Sequence, residues 1–245
     1  MNRAPDLVPT LRRLGLTTIA AHYEEMAAQA ARDQLGPVEY LQRLADAEAA
    51  ARYERSVQRR IKQARLPLIK TLEQFSWSWP AKINRPQIQD LFRLRFVEEH
   101  AHVVFLGGVG LGKTHLAIAL AHTACLQNIP VLFASAVDIV NTLSAAQAVH
   151  ALPKALKSYL APRLLVIDEL GYLPMDKHGA DLLFQVISAR YERGSVVLTT
   201  NTAYKQWPRI FNNDSTITSA VLDRLLHHCE TVTIEGKSYR MKDKS

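Results

Sequence analysis

One stretch of the sequence has the residue types and the spacing needed to bind phosphate. Residues 107–114 read GGVGLGKT and match the pattern G-x-x-x-x-G-K-[ST] without a substitution. Glycines let such a loop curl until its backbone N–H groups converge on phosphate oxygens, and a helix that begins there adds its positive dipole end. In this pattern the lysine reaches the β- and γ-phosphates and the hydroxyl ligates Mg²⁺. The predicted nucleotide-binding residues are therefore Gly107, Gly108, Val109, Gly110, Leu111, Gly112, Lys113 and Thr114.

A second stretch with residue types suited to nucleotide chemistry ends in two carboxylates. Residues 163–169 read RLLVIDE, which predicts a buried parallel strand that delivers Asp168 and Glu169 to its carboxyl end. Downstream of a complete phosphate loop, this fits the Walker B pattern. Asp168 then holds the Mg²⁺ shell together with Thr114, and Glu169 orients or polarises the attacking water. The alternative, solvated acids at a strand end, is disfavoured by the phosphate loop upstream.

These side chains need a sheet that sets several strand ends side by side. Residues 101–106 predict a strand before the loop and residues 115–127 a helix after it. Further strands are predicted at 131–134, 163–169, 195–201 and 232–234, and further helices at 138–147, 153–160, 176–193 and 219–229. This alternation predicts an α/β fold, a three-layer P-loop domain with a parallel sheet. Asn201, at the end of one strand, can place its amide beside the γ-phosphate.

A helical region and a linker precede this domain. Apolar spacing predicts helices at 17–32, capped by Thr17 or Thr18, and at 38–63. We expect a small all-α domain at 1–66, a linker packed on the nucleotide-binding core at 67–100, and the nucleotide-binding domain at 101–245. The linker carries Phe75, Trp77, Trp79 and a predicted helix at 88–96. Its aromatic side chains favour core packing or a wall near the adenine, with stacking on nucleic-acid bases as the alternative.

Composition limits the class of protein. With 245 residues, 48% hydrophobic and 22% charged, the chain has an ordinary globular composition. It has no apolar run of membrane-spanning length, and its N-terminus lacks the apolar core of a signal peptide. Two cysteines, Cys125 and Cys229, give no disulfide framework. We therefore expect a cytoplasmic protein.

Positive charge is concentrated in one segment. The formal net charge is +7 and the pI is about 9.5, which favours an acidic partner, with nucleic acid first. Residues 52–70 hold seven Lys and Arg side chains against Glu54 alone, a net charge of +6. The alternative interpretation is a solvated helix face with scattered ion pairs. The candidate DNA-binding residues are Arg52, Arg55, Arg59, Arg60, Lys62 and Arg65.

Several motifs together resemble one family. GGVGLGKT, LLVIDELGYLPMD, VVLTTN, LDRLLHH and GKSYR occur in an order and spacing similar to those of the IstB family. These are AAA+ helper ATPases of insertion-sequence transposition, related to DnaC helicase loaders and DnaA initiators. The resemblance covers most of the chain. Many ATPases share the phosphate loop, whereas the DELGYLPMD and LDRLLHH stretches are much more specific.

The resemblance implies further roles. Asn201 matches the sensor 1 position, Arg224 matches the arginine finger given to a neighbouring subunit's ATP, and Arg240 matches a sensor 2 position. It also implies that ATP and Mg²⁺ drive assembly of a homo-oligomer on duplex DNA, and that the N-terminal helices help bind DNA and contact a transposase. Before the resemblance is considered, Arg224 is notable because it lies off the apolar stripe of its helix. His227, His228 and Cys229 offer metal-ligand types, but adjacent helical residues point in different directions.

Three other functions remain open at this stage. A DnaC-like replicative helicase loader shares the same core and differs in its partner. A small-molecule P-loop kinase needs a substrate pocket and a lid, for which the sequence shows no signal. A nucleotide-dependent scaffold that barely hydrolyses ATP would assemble with slow turnover.

Overall fold

The computed structural model describes residues 7–239. The chain divides into two compact units, Met1–Arg59 and Arg60–Ser245. The first contains helices α1 (Leu7–Arg13) and α2 (Thr17–Arg32) and most of α3 (Pro37–Ala64), which continues into the second. Every helix of the described chain is too short or too polar to span a lipid bilayer.

The start of α2 is capped from another helix, and the predicted threonine cap is wrong. No side chain at the α2 terminus makes a capping bond. Instead the buried carboxylate of Glu48, on α3, accepts hydrogen bonds from the backbone N–H of Thr18 (2.7 Å) and Ile19 (3.1 Å). Arg52 and Arg55 each approach the same carboxylate at 3.1 Å. Burial acts to raise the pKa of Glu48, but these four donors together lower it below its ordinary value.

The second unit is built on one five-stranded parallel sheet. Its strands are β1 (His102–Gly107), β2 (Val131–Ser135), β3 (Leu164–Leu170), β4 (Ser195–Thr200) and β5 (Cys229–Ile234). Their spatial order is β2-β3-β4-β1-β5, and all four neighbouring pairs are parallel. The order places β1 between β4 and β5. The carboxyl ends of β1, β3 and β4 therefore lie at one edge of the sheet.

Helices cover both faces of the sheet, which confirms the predicted α/β class. The helices of this unit are α4 (Arg85–Leu91), α5 (Arg95–Glu98), α6 (Lys113–Leu126), α7 (Ala136–Ala148), α8 (Leu152–Leu160), α9 (Lys177–Arg190) and α10 (Ser215–Leu226). Successive β-residues face opposite sides, so Val103 and Phe105 pack with α6 while Val104 packs with α7, α9 and α10. A 3₁₀ helix at Tyr204–Arg209, which the sequence pattern did not predict, joins β4 to α10.

The linker departs from its predicted helix. Instead of one helix at 88–96, the structure has α4 and α5 separated by a turn at Leu94, whose backbone is left-handed with φ 61°. Leu94 is 2% exposed, and Ile88 and Phe96 are buried in the same core. The turn allows apolar side chains of both short helices to be buried in this core. A single straight helix over the same residues would present only one of its faces to the core.

A buried arginine fastens the amino-terminal ends of two strands. Arg190 is 1% exposed and donates through Nη1 to the carbonyl oxygens of Tyr159 (2.8 Å) and Pro162 (2.9 Å). Its Nη2 donates to those of Arg163 (3.0 Å) and Ser195 (2.8 Å), which lie at the starts of β3 and β4. Burial lowers the pKa of Arg190 to about 10, so the guanidinium remains charged at neutral pH.

His102, at the start of β1, is held neutral. It is 3% exposed, and its Nδ1 accepts a hydrogen bond from the backbone N–H of Val196 (3.2 Å). Burial lowers the pKa of His102 to about 4, and the positive charges of Arg190 and protonated His228 act in the same direction. The unfolded chain, with an ordinary histidine pKa of 6.5, therefore takes up a proton before the folded chain does.

We expect acid to destabilise the fold through His102. Stability is fully present above pH 6.5 and falls towards pH 4, because protonation favours the unfolded chain over that interval. The loss is at most on the order of 3 kcal/mol from this residue. Urea denaturation from pH 7 to pH 4 should show a shallower pH dependence for His102→Asn, which keeps an acceptor and cannot be protonated. Parallel profiles for the two proteins would contradict this.

Candidate nucleotide-binding site

The phosphate loop has the conformation that its glycines allow. It leaves β1 at Gly107 and enters α6 at Lys113. Gly110 and Gly112 have φ values of 74° and 87°, in the left-handed region that favours glycine. A Cβ atom on Gly112 would lie 2.6 Å from the Phe75 ring, so the linker packs directly against the loop. The N–H groups at the start of α6 have no intrahelical partners and suit an anion.

The structure brings the loop and the Walker B strand together. The hydroxyl of Thr114 donates to Oδ1 of Asp168 at 2.9 Å, and the ammonium of Lys113 lies 2.7 Å from the carbonyl oxygen of Gly108. Asp168 ends the apolar part of β3 and is 6% exposed. Glu169, the next residue, is exposed. The two carboxylates therefore differ in environment, one buried beside the loop and one open to solvent.

Glu169 occupies an irregular point of the sheet. Between Ile167 and Leu170 the pairing of β3 with β4 shifts register, and Glu169 has a left-handed backbone with φ 59°. Its backbone N–H donates to the hydroxyl of Thr199 on β4 at 3.0 Å. That hydroxyl in turn donates to Oδ1 of Asp168 at 2.5 Å. Thr199 was not among the predicted site residues, since its place in VVLTTN differs in no local respect from that of Thr200.

The donor set suits Mg²⁺. Thr114 and Asp168 offer oxygen ligands, which this hard cation prefers. Asp168 is buried, yet within residues 7–239 no lysine, arginine or histidine forms an ion pair with it. A buried carboxylate stabilised only by hydroxyl groups gains from a cation placed beside it.

A cavity of about 380 Å³ opens beside the loop. Its walls combine the loop with the linker and the segment after β5, through Phe75, Trp79, Gly110 and Tyr239. The indole of Trp79 stands edge-on to Tyr239 with ring centroids 5.4 Å apart, and its Nε1 donates to the carbonyl oxygen of Lys237. The backbone N–H of Tyr239 donates to the carbonyl oxygen of Gly110 at 2.9 Å. Aromatic side chains beside a phosphate loop suit a purine base.

Among the described residues, neither Asn201 nor Arg224 makes a hydrogen bond to this cluster, and Arg240 lies outside the described residues. Asn201 follows β4, is exposed, and accepts a hydrogen bond from the hydroxyl of Thr202 (3.1 Å). Arg224 is half-buried on α10, donates to the carbonyl oxygen of Ala220 (3.0 Å) and lies 5.1 Å from the ring centroid of Phe184. Both of its contacts lie outside the phosphate loop.

Three of the candidate DNA-binding arginines are engaged within the fold. Arg52 and Arg55 contact Glu48, as described above. Arg60 is 9% exposed, and its Nε donates to the carbonyl oxygen of Cys125 at 2.9 Å. The sequence pattern treated Arg60 as a surface charge, whereas the structure buries it against α6. The remaining three, Arg59, Lys62 and Arg65, are exposed and form no ion pair with any described residue.

The histidine pair after α10 has a neighbour that the sequence did not suggest. Ligand atoms of His227, His228 and Glu192 lie within 4.8 Å of one another, and all three residues are exposed. Cys229 is not part of this group. It is a half-buried free thiol, and Cys125 is a buried one; burial raises the pKa of each to about 11, so both stay protonated at neutral pH.

Comparison with known families gives one match over nearly the whole chain. Residues 9–245 match the family described as IstB-like ATP binding protein. An ATP-binding protein of insertion sequence IS21 from Pseudomonas aeruginosa is 40% identical over 239 residues, which span 98% of this chain and 90% of that protein. One of insertion sequence IS5376 from Geobacillus stearothermophilus is 38% identical, over 95% of this chain and 92% of that protein.

Solved structures with the same fold include two classes of replication protein. The AMPPCP-bound DnaA of Aquifex aeolicus matches with a TM-score of 0.59 and 19% identity, over 73% of this chain and 54% of that one. A DnaC helicase loader matches with a TM-score of 0.54 and 22% identity, over 67% of this chain and 96% of that one. At such identities the likeness establishes the P-loop AAA+ fold and leaves partners open.

Proposed function

Because the chain belongs to the family of IstB-like ATP-binding proteins, we propose that it is an ATP-hydrolysing AAA+ regulator of DNA transposition. In this proposal the ATP-bound protein assembles as a homo-oligomer on duplex DNA and recruits or activates a transposase. The names of the relatives from P. aeruginosa and G. stearothermophilus tie those proteins to insertion sequences, which supports the transposition context.

The observation that carries the ATPase part is the hydrogen bond between Thr114 and Asp168 at 2.9 Å. It joins the phosphate loop to the strand whose next residue is the exposed Glu169. Phosphates bound by the loop then lie beside one carboxylate suited to a cation and another free to face water. That pairing is what hydrolysis of a phosphoanhydride requires.

Each side chain of the site has a distinct task in this proposal. The ammonium of Lys113, which contacts the carbonyl oxygen of Gly108 in this structure, moves to the phosphates when the nucleotide binds. Thr114 and Asp168 would hold Mg²⁺, which would supply positive charge beside the phosphate oxygens. Glu169 orients the attacking water and accepts its proton, while Asn201 contacts the γ-phosphate as sensor 1. Arg224 acts in a neighbouring subunit and Arg240 serves as sensor 2.

The DNA-binding part rests on the exposed basic side chains at the end of α3 and directly after it. Since Arg52, Arg55 and Arg60 have partners within the protein, we assign most of the phosphate contact to Arg59, Lys62 and Arg65. We further propose that residues 1–66 form the DNA- and partner-binding domain and that residues 67–100 link it to the ATPase domain at 101–245.

Glu169→Gln should bind ATP and fail to turn it over. The amide keeps the shape of the side chain but cannot accept a proton from water, so phosphate release should fall by about a hundredfold or more. Glu99→Gln, an exposed glutamate away from the site, is the control and should retain the parent rate. Phosphate release and binding of a fluorescent ATP analogue measure the two effects. A parent-like rate for Glu169→Gln would exclude Glu169 as the catalytic carboxylate.

Replacing Lys62 and Arg65 with Ala should weaken duplex DNA binding on every sequence alike. The slope of log K against log salt concentration should become shallower by about 0.9 for each lost phosphate contact. The double variant Arg93→Ala, Lys177→Ala removes the same charge from exposed positions elsewhere and should keep the parent slope. Fluorescence anisotropy at several salt concentrations gives both values. If the two double variants lose slope equally, the effect is one of net charge and DNA contacts lie elsewhere.

Arg224→Ala should bind ATP nearly normally and hydrolyse it roughly a thousandfold more slowly, because it lacks the charge that stabilises the transition state in the neighbouring site. Lys113→Ala should fail at its own phosphate loop while retaining Arg224. Mixing the two inactive variants creates interfaces with one intact half from each. Phosphate release should therefore return in the mixture.

The contact with Phe184 gives the competing explanation, in which Arg224 only packs against α9. In that case Arg224→Ala should lower the melting temperature, and Arg224→Lys, which keeps a charge over the ring, should restore it. A mixture that stays inactive although co-assembly is seen by pull-down would remove the role in a neighbouring subunit.

A further inference from the structure

Thr199 lies between the carboxylate of Asp168 and the backbone N–H of Glu169. It is the fifth residue of β4 and is 1% exposed. Its Oγ1 lies 2.5 Å from Oδ1 of Asp168 and 3.0 Å from the backbone nitrogen of Glu169. One hydroxyl on β4 therefore contacts both residues of β3 that the proposed reaction uses, Asp168 and Glu169.

The chemistry of the groups fixes the direction of both bonds. The backbone N–H of Glu169 can only donate, so the Thr199 oxygen accepts from it. A hydroxyl has one proton, and the carboxylate of Asp168 can only accept, so the Thr199 proton goes to Asp168. Both the proton and the oxygen of the hydroxyl are therefore used.

The hydrogen bond from Thr199 to Asp168 helps to fix the orientation of the Asp168 carboxylate, and so which of its oxygens remains available to a cation. Oδ1 accepts from Thr199 on one side and from Thr114 on the other. Two donors on one oxygen fix the rotation of the carboxylate, because turning it would break both bonds inside a buried environment. Arrangements in which a neighbour orients a metal-binding side chain are a recurring feature of metal sites.

The Glu169 end controls the backbone turn that presents the second carboxylate. The register shift between Ile167 and Leu170 removes Glu169 from the regular β3–β4 pairing. Its N–H would have lost its partner there, and Thr199 supplies one from the neighbouring strand. The same bond holds a left-handed conformation that residues with a side chain seldom adopt.

We propose that Thr199 is a positioning residue that couples Asp168 to Glu169. Its one hydroxyl fixes the rotation of the Asp168 carboxylate, which would hold Mg²⁺, and the backbone turn that presents the Glu169 side chain. This role rests on the proposed ATPase function. It gives Thr199 no contact with the nucleotide, so the expected defect is in metal dependence and turnover, with nucleotide affinity in the absence of metal preserved.

The test compares Thr199→Val, which keeps the shape and removes the hydroxyl, with Thr199→Ser, which keeps the hydroxyl. The matched control is Thr218→Val, another buried threonine, whose hydroxyl donates to the carbonyl oxygen of Asp214 and to no other described residue. Two measurements are made on the full chain. The first is the affinity for a fluorescent ATP analogue, measured in EDTA and then at increasing Mg²⁺ concentrations. The second is the kcat for phosphate release. Melting temperatures report on the fold, and Thr199→Ala replaces Thr199→Val if the latter is not folded.

We expect Thr199→Val to bind the analogue in EDTA as the parent does. The Mg²⁺ concentration for half-maximal enhancement of binding should rise, and kcat should fall, each by roughly tenfold or more. Thr199→Ser should recover most of both, and Thr218→Val should match the parent. Parent-like metal dependence and kcat in a folded Thr199→Val would overturn the proposal, as would equal losses in Thr199→Val and Thr199→Ser.

Failure of the proposed ATPase function looks different. The parent itself would then release no phosphate, while the Mg²⁺ titration of analogue binding would still distinguish Thr199→Val from Thr199→Ser if the Asp168 half of the coupling is correct. Identical titrations for those two variants would overturn the role of Thr199 independently of any turnover.

Discussion

A buried carboxylate that forms no ion pair within residues 7–239 is the constraint around which the ATPase unit is arranged. Asp168 is delivered by an apolar strand to the interior edge of the sheet, where an unpaired charge is costly. Two threonine hydroxyls, from the phosphate loop and from β4, reduce that cost without neutralising the charge. The fold thus places a buried carboxylate, held by hydroxyl groups, at the carboxyl edge of the sheet, and the sheet order β3-β4-β1 brings three strand ends to it.

The parts of the site that the sequence predicted are those whose chemistry is local. Residues 107–114 form a loop because their glycines permit it, and Asp168 and Glu169 follow an apolar strand, so both patterns can be recognised without a partner segment. Thr199 and Glu48 could not be found this way. The role of Thr199 depends on the register between β3 and β4, and that of Glu48 on the packing of two helices. The split of the predicted helix at 88–96 has the same origin, since burial on both sides of Leu94 depends on the core around it.

The composition of the basic segment also does not show which of its charged side chains are engaged in contacts within the protein. The basic segment has a net charge of +6, yet Arg52 and Arg55 are paired with the buried Glu48, and the buried Arg60 donates to the carbonyl oxygen of Cys125. A count of basic residues therefore overstates the charge that this helix presents to solvent. Arg190 is another charged side chain held inside the fold. It forms no ion pair with a described carboxylate and instead donates hydrogen bonds to four backbone carbonyl oxygens.

The place of β1 between β4 and β5 has a consequence for the order in which the chain is made. The strand that carries the phosphate loop pairs on one side with β4 and on the other with β5, both far downstream in the sequence. During synthesis, β1 leaves the ribosome with neither neighbour, and its second edge stays open until Cys229–Ile234 has emerged. Contacts between distant segments form late and slowly. The nucleotide site is therefore among the last parts of the molecule to be completed, although its loop is encoded before the middle of the chain.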